Sequence, residues 1–159
     1  MKYDAMLAVA ALAMLCAACT PGAAGTPPPA GGPGPNGQST VIDINLTEHP
    51  AVQTPQGESG GFAPPVTTVA VGTEIRFFNS DGFAHTATMI PAATTFPSAS
   101  PFQVSAQRSN GAVISASWSS GTLQAGTGSQ DILVDRPGTY LYGCFFHYTA
   151  PMRGTIVAQ

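Results

Sequence analysis

The chain has 159 residues, of which only 8% are charged, and its formal net charge is −3. Its five basic residues form no cluster, which argues against the dense positive patch that nucleic-acid binding requires. The chain is long enough for one domain with a substantial hydrophobic core.

The N-terminal segment predicts export from the cytoplasm. Lys2 precedes an apolar run at residues 5–15 that is too short to span a membrane permanently. Small residues then lead into Cys19, a pattern that resembles a bacterial lipoprotein signal at residues 1–19, with Cys19 as the lipidated residue. The alternative is plain secretion with cleavage among the nearby alanines.

Residues 20–38 consist almost entirely of Pro, Gly, Ala and Thr. This composition cannot bury enough apolar surface to offset its ordering entropy, so we predict a flexible linker. The remaining residues, 39–159, are predicted to form the folded domain. Together these features predict a location in the bacterial periplasm or on the outer cell surface, with membrane anchoring through Cys19 in the case of a lipoprotein signal.

Short β-branched and aromatic runs, separated by Gly, Pro, Asn and Asp, recur along the folded domain. They predict strands at residues 41–46, 67–71, 74–78, 85–90, 112–118, 131–134, 139–144 and 153–158. Residues 48–65 and 91–110 are predicted to be loops. Because no stretch carries a sustained 3.6-residue apolar period, the predicted fold class is an all-β sandwich.

Cysteine usage gives the first indication of chemistry. Cys16 and Cys19 lie in the export signal, which leaves Cys144 alone in the folded domain. An exported domain with one cysteine has no partner for an internal disulfide. Cys144 is therefore a buried bystander, a reactive thiol or a metal ligand, and its neighbours must decide.

Those neighbours favour a metal ligand. Cys144, His147 and Met152 follow one another at C-x2-H-x4-M spacing between two predicted strands. Thiolate, imidazole and thioether are ligands that suit copper, and His85 supplies the second imidazole of an electron-transfer copper site. His49, in a predicted loop start, is interpreted as structural.

The sequence resembles the small blue copper proteins of the plastocyanin, pseudoazurin and amicyanin type. The resemblance covers residues 71–86, 120–123 and 137–154 of the folded domain. It implies a Greek-key β-sandwich (the cupredoxin fold) with one type 1 copper held by His85, Cys144, His147 and Met152. It further implies a carrier of single electrons and not an enzyme.

Three further residues are predicted to lie around the ligands: Thr86, Phe146 and Asn79. Plastocyanin-like loops usually have Pro where this chain has Phe146, and Pro lacks a backbone N–H. We therefore expect Phe146 to provide a second backbone donor to the Cys144 sulfur, beside that of Thr86. Such donors stabilise the reduced site and raise its reduction potential.

The resemblance also implies that the edge of His147 reaches the surface within an apolar docking patch. Phe145, Tyr148, Ala150 and Pro151 are the predicted members of this patch. The expected partner is a redox protein, either a cytochrome or an oxidoreductase, which would meet a monomer. With so few charges, the association should depend only weakly on salt.

Two other classes of copper protein need residues that differ from those of this chain. Copper-delivery or storage proteins favour Met-rich or His-rich segments, whereas this domain has only Met89 and Met152. Multicopper oxidases and nitrite reductases need further histidine clusters that the chain does not contain. Periplasmic copper delivery or storage remains the main alternative to electron transfer.

Overall fold

The computed structural model describes residues 35–102 and 113–159, and all regular structure in these two ranges is β-structure. None of the described residues belongs to a helix that could cross a membrane. The strands, in chain order, are β1 (Ser39–Ile44), β2 (Val52–Thr54), β3 (Gly57–Ser59), β4 (Phe62–Ala63), β5 (Val66–Val69), β6 (Glu74–Asn79), β7 (Thr88–Ile90), β8 (Ile132–Leu133), β9 (Gly138–Gly143) and β10 (Arg153–Ala158).

Two four-stranded sheets make up the sandwich, and β2 and β3 form a separate hairpin. The first sheet has the order β4-β1-β6-β8 and the second the order β5-β10-β9-β7. The chain changes sheet at each connection from β4 to β9, as expected for a Greek-key sandwich. The predicted all-β cupredoxin-like fold is therefore confirmed.

The core lies between the two sheets because alternate strand residues point inward. Ile42 and Ile44 of β1 and Ile75 and Phe77 of β6 are fully buried from the first sheet. From the second sheet, the ring of Tyr142 packs against Phe77 with centroids 5.1 Å apart. This aromatic contact joins the two layers directly below the strand ends that carry the candidate ligands.

Strand register sets where the ligand-bearing loops emerge. β9 pairs antiparallel with β10, so Gly143 lies opposite Arg153 and the connecting loop leaves both strands at one end. β7 pairs with the same β9 and places Thr88 opposite Gly143. The segment before β7 and the loop after β9 therefore meet at one end of the sandwich.

One loop prediction and one strand prediction were wrong. Residues 48–65, predicted as loop, contain β2, β3 and β4, which are too short to show a clear alternating pattern. Of the predicted strand at 112–118, the described residues make only an isolated bridge, Val113 with Leu133, before a turn. The segment is held instead by Asp135, whose carboxylate accepts hydrogen bonds from Ser115.

Some predictions fall outside the described residues. These are the export signal at 1–19 with Cys19, most of the linker at 20–38, and the last part of the loop at 91–110. The lipid anchor, the linker and the domain boundaries stay predictions.

Candidate metal centre

Cys144, His147 and Met152 lie on the loop that joins β9 to β10. Backbone hydrogen bonds close this loop, because Cys144 N–H donates to the Met152 carbonyl at 3.0 Å. Within the loop, the N–H groups of Ala150 and Met152 both donate to the His147 carbonyl, at 2.9 and 3.3 Å. The short loop is thereby folded into one conformation that brings all three side chains to the same end.

His85 arrives from the other direction, between β6 and β7. It exchanges two backbone hydrogen bonds with Leu123, of 3.1 and 2.8 Å. Because both of its backbone polar groups are used, the Cα of His85 is fixed independently of the ligand loop. The side chain is fully buried.

Three donor atoms converge between these segments. The Nδ1 atoms of His85 and His147 are 3.1 Å apart, and the Cys144 Sγ lies 3.7 and 3.6 Å from them. A triangle with these edges has its centre about 2 Å from each corner, close to normal metal–imidazole and metal–thiolate distances. Among the described residues, this is the one group of three His, Cys or acidic side chains placed to hold a metal.

The donor chemistry fits copper. One thiolate and two imidazoles, with a thioether nearby, form the set found in electron-transfer copper sites. Met152, the last residue of the loop, is fully buried, and its side chain lies beside Gly61. Gly61 follows β3, in a segment that the sequence pattern had predicted as plain loop.

Met152 has room only because residue 61 lacks a side chain. A Cβ on Gly61 would lie 2.6 Å from the Met152 Cγ and 3.4 Å from a Leu46 methyl group. The neighbouring Gly60 pairs with the ligand loop through its N–H to Pro151 and its carbonyl to Arg153. The β3–β4 connection therefore forms the wall behind the thioether, a role that sequence reasoning missed.

Thr86 connects the two halves of the site. Its backbone N–H donates to the Cys144 Sγ at 3.4 Å, and its Oγ1 accepts from the Phe145 N–H at 2.8 Å. The prediction that Thr86 lies beside the sulfur as a backbone donor agrees with this geometry.

Burial raises the pKa of the Cys144 thiol. The N–H groups of Thr86, His147 and Phe146, and the Thr86 side chain, act in the opposite direction by favouring the thiolate. Without a metal the residue is therefore a thiol, and metal binding must displace its proton. The role of Phe146 as a second backbone donor to the sulfur stays a prediction.

Asn79 ties the His85 segment to the rest of the sheet without touching a donor atom. Its Nδ2 donates to the carbonyls of Phe83 and Leu123, at 2.8 and 2.9 Å. Its Oδ1 accepts from the Asp81 N–H at 3.0 Å. The fully buried Asn79 thus bridges both backbone segments around His85.

A further contact to His85 was not predicted. The Asp81 Oδ2 lies 3.1 Å from His85 Nε2, and these two side chains are 5% and 0% exposed. Burial lowers the pKa of His85 although the hydrogen bond to Asp81 acts to raise it, so the imidazole is neutral near pH 7. An acid four residues before a candidate ligand is the signal that could have identified this pair.

The surface near His147 is apolar, but its composition differs from the prediction. Tyr148 is only 1% exposed, so its assignment to a docking patch was wrong. Its hydroxyl donates to the Pro97 carbonyl at 2.9 Å, and the Arg153 guanidinium covers its ring with a centroid distance of 4.3 Å. Of the other predicted members, Ala150 is exposed, and Phe145 and Pro151 are half-buried.

Two side chains that were not predicted as members of the docking patch lie at this surface. Phe83 and Phe146 are 46% and 45% exposed, and their rings lie 5.6 and 6.2 Å from that of His147. His147 is half-buried, whereas the other three candidate ligands are fully buried. We call Phe83, Phe145, Phe146 and the His147 edge the apolar end surface.

The sequence was compared with known protein families. The sequence model of one family, the copper-binding proteins of the plastocyanin/azurin family, matches residues 51–159 of this chain. No curated protein matches the sequence.

Similar solved structures include a purple cupredoxin from Nitrosopumilus maritimus, with 19% identity over 75% of this chain and 98% of that one, and a TM-score of 0.49. A mutant fern plastocyanin shows 22% identity over 76% and 100% of the two chains, with a TM-score of 0.45. A reduced amicyanin mutant shows 17% identity over 78% and 84%, with a TM-score of 0.46.

Proposed function

Because the chain belongs to the plastocyanin/azurin family of copper-binding proteins, we propose that it is a type 1 copper electron carrier working outside the cytoplasm. The observation that carries the proposal is the convergence of the Nδ1 atoms of His85 and His147 on the buried Cys144 sulfur. The protein binds copper as its cofactor, with Met152 proposed as the weak fourth ligand.

Copper in this ligand set supplies a one-electron couple between Cu(I) and Cu(II). The polypeptide holds the donors in nearly one geometry for both oxidation states, which keeps the rearrangement during transfer small. The Leu123 hydrogen bonds to His85 and the Thr86 link to the ligand loop provide that rigidity. When copper binds, Cys144 must give up its thiol proton to the solvent.

The burial of three of the four candidate ligands supports a carrier that retains its copper. His85, Cys144 and Met152 are fully buried, so an acceptor of copper ions cannot reach them without opening the fold. His147 alone reaches the surface, and its edge is the proposed route for the electron. These features favour electron transfer over copper delivery or storage, and no substrate turnover is part of the proposal.

The proposed partner is a redox protein, a cytochrome or an oxidoreductase, that docks on the apolar end surface. Exposed Phe83 and Phe146 beside His147 give that surface its apolar character. The proposal places the protein in the periplasm or on the outer cell surface as a monomer, anchored through lipidated Cys19. Short-lived docking through a small apolar contact suits a carrier that must also release its partner.

The deciding experiment records visible absorption and electron paramagnetic resonance (EPR) spectra of the protein with Cu(II). An intense thiolate-to-copper band with narrow hyperfine splitting, abolished in Cys144→Ala, is expected. In His49→Ala, which lacks a histidine outside the site, both signals should persist. A weak, ordinary Cu(II) spectrum, or rapid transfer of Cu(I) to a chelator, would refute the electron-carrier assignment.

A further inference from the structure

Asp81 is the one carboxylate among the described residues that contacts a candidate ligand. Its Oδ2 lies 3.1 Å from the Nε2 of His85, which is the ring nitrogen opposite the donor atom Nδ1. The other described histidine–carboxylate pair, His49 with Asp43, lies outside the metal centre and is 24% and 34% exposed.

The Asp81 carboxylate is anchored on both oxygens. Its Oδ2 also accepts the Leu46 N–H at 2.8 Å, and its Oδ1 accepts the Gly82 N–H at 2.7 Å. These two backbone N–H donors favour the charged form of the carboxylate. The group is therefore a fixed anion in a largely dry environment.

A fixed acceptor at Nε2 determines which ring nitrogen of His85 carries the proton. With N–H at Nε2, the lone pair of Nδ1 points to the centre of the Cys144 and His147 triangle. The ring cannot turn away without leaving a buried carboxylate with one donor fewer. The hydrogen bond thus prepares His85 for the metal before the metal arrives.

The Asp81 carboxylate contacts His85 on one side of the site and, through Leu46, the segment beside Met152 on the other. Leu46, held through its N–H, places a methyl group next to Gly61, where the Met152 side chain also lies. A buried negative charge hydrogen-bonded to a ligand stabilises the more highly charged Cu(II) state through Coulomb attraction. Asp81 should therefore influence both the affinity for copper and its reduction potential.

We propose that Asp81 is a positioning residue of the metal centre, one that fixes the tautomer and orientation of His85 and favours the oxidised state through its charge. The inference rests on the proposed function, because it concerns the same copper site. It concerns a side chain that was not among the predicted site residues.

The test uses Asp81→Ala, Asp81→Asn and the matched control Asp43→Asn in the full chain. The control removes one carboxylate from the histidine pair that lies outside the site. In metal-free protein, long-range nitrogen–proton NMR reports the His85 tautomer. Chelator competition gives copper affinity, and redox titration gives the reduction potential.

Asp81→Ala should lose the uniform Nε2–H tautomer and weaken Cu(II) binding by about 10- to 100-fold. Asp81→Asn keeps an oxygen acceptor, so it should restore the tautomer and the type 1 spectrum while the potential shifts upward. Asp43→Asn should change none of these readouts. Asp81→Asn preserves the oxygen acceptor. The reduction potential of this variant therefore tests the inference even if Asp81→Ala does not fold.

The inference is overturned when both Asp81 variants keep the wild-type affinity, tautomer and potential. It is also overturned when Asp43→Asn shifts the potential as far as Asp81→Asn. Failure of the proposed function looks different, because the wild-type protein itself would then lack the type 1 spectrum.

Discussion

The Oγ1 of Thr86 accepts a hydrogen bond from the Phe145 N–H at 2.8 Å, which joins the residue after one ligand to the residue after another. Thr86 follows His85, and Phe145 follows Cys144. The contact therefore fixes the distance between two ligand-bearing segments that come from different parts of the chain.

Replacing Thr86 with Val keeps the side-chain shape and removes this acceptor. The Phe145 N–H would then lack a partner, so we expect the free energy of unfolding to fall by about 1–3 kcal/mol. Equilibrium denaturation measures this loss. Thr68→Val, on an exposed position of β5, is the control and should change stability little; an equal loss in both variants would contradict the prediction.

Phe146→Pro removes one backbone N–H that favours the Cys144 thiolate. Donors to the sulfur stabilise the reduced site, so the reduction potential should fall by roughly 40 mV, the equivalent of one hydrogen bond. Redox titration of the copper protein measures the shift. Phe146→Ala retains the N–H and serves as the control, and an unchanged potential in the proline variant would rule out this donor.

Gly61→Ala should displace Met152, because the new Cβ would lie 2.6 Å from the Met152 Cγ. Its φ of +72° adds strain of about 1–2 kcal/mol for a residue with a side chain. We expect lower stability together with altered visible absorption and EPR spectra.

Gly126→Ala is the matched control for this change. Gly126 has a φ of +73°, and a Cβ there would meet no atom within 4 Å. It should lose similar stability and leave the copper spectra unchanged. Spectra that stay normal in Gly61→Ala would show that residue 61 does not position Met152.

Tyr142→Phe should stabilise the protein by about 1 kcal/mol. The Tyr142 hydroxyl is buried and has no hydrogen-bond partner among the described residues, so its removal relieves an unpaired polar group. Thermal or denaturant unfolding at neutral pH measures the gain. Tyr140→Phe is the control, because its hydroxyl donates to the Arg136 carbonyl, and it should bring no gain.

The buried Tyr142 hydroxyl also leads us to predict how the free energy of unfolding changes at alkaline pH. Burial raises its pKa in the folded protein above the ordinary value of 10.0. The unfolded chain ionises first, so the contribution of Tyr142 is complete below pH 10 and declines as the pH rises further. Unfolding followed between pH 9 and 12 should show a smaller decline in Tyr142→Phe; identical profiles would contradict this account.

Phe83→Ser and Phe146→Ser should slow electron exchange with a soluble cytochrome, because they remove apolar contact beside His147. Stopped-flow mixing measures the rate at several salt concentrations, and we expect only a weak salt dependence. Val52→Ser, at an exposed position on the β2–β3 hairpin, is the control. Equal slowing in all three variants would argue against docking at the apolar end surface.

Part of this site could be predicted from the order of residues alone. Cys144, His147 and Met152 share one short loop, so their proximity follows from the chain itself. His85 was added because of its residue type and the family resemblance, and the structure brings its Nδ1 to the same point.

Other parts depend on contacts between distant segments, which spacing does not reveal. Asp81 was not among the predicted site residues, and its contact with His85 depends on the path of the chain through residues 82–84. Tyr148 is buried where its hydroxyl donates to the Pro97 carbonyl, which lies 51 residues away in the chain. The strands between residues 52 and 63 escaped prediction because each has only two or three residues.

Strand direction determines how the domain would sit on a support. β1 begins at Ser39, and Gln159 follows the last strand near Val71, to which its carbonyl is hydrogen-bonded at 2.9 Å. The candidate ligands lie past the opposite ends of six-residue strands, about 20 Å away. Attachment of the folded domain to an electrode at Ser39, where β1 begins, would therefore turn His147 away from the conducting surface. Electron tunnelling across that distance is slow, and His147 would face the solution.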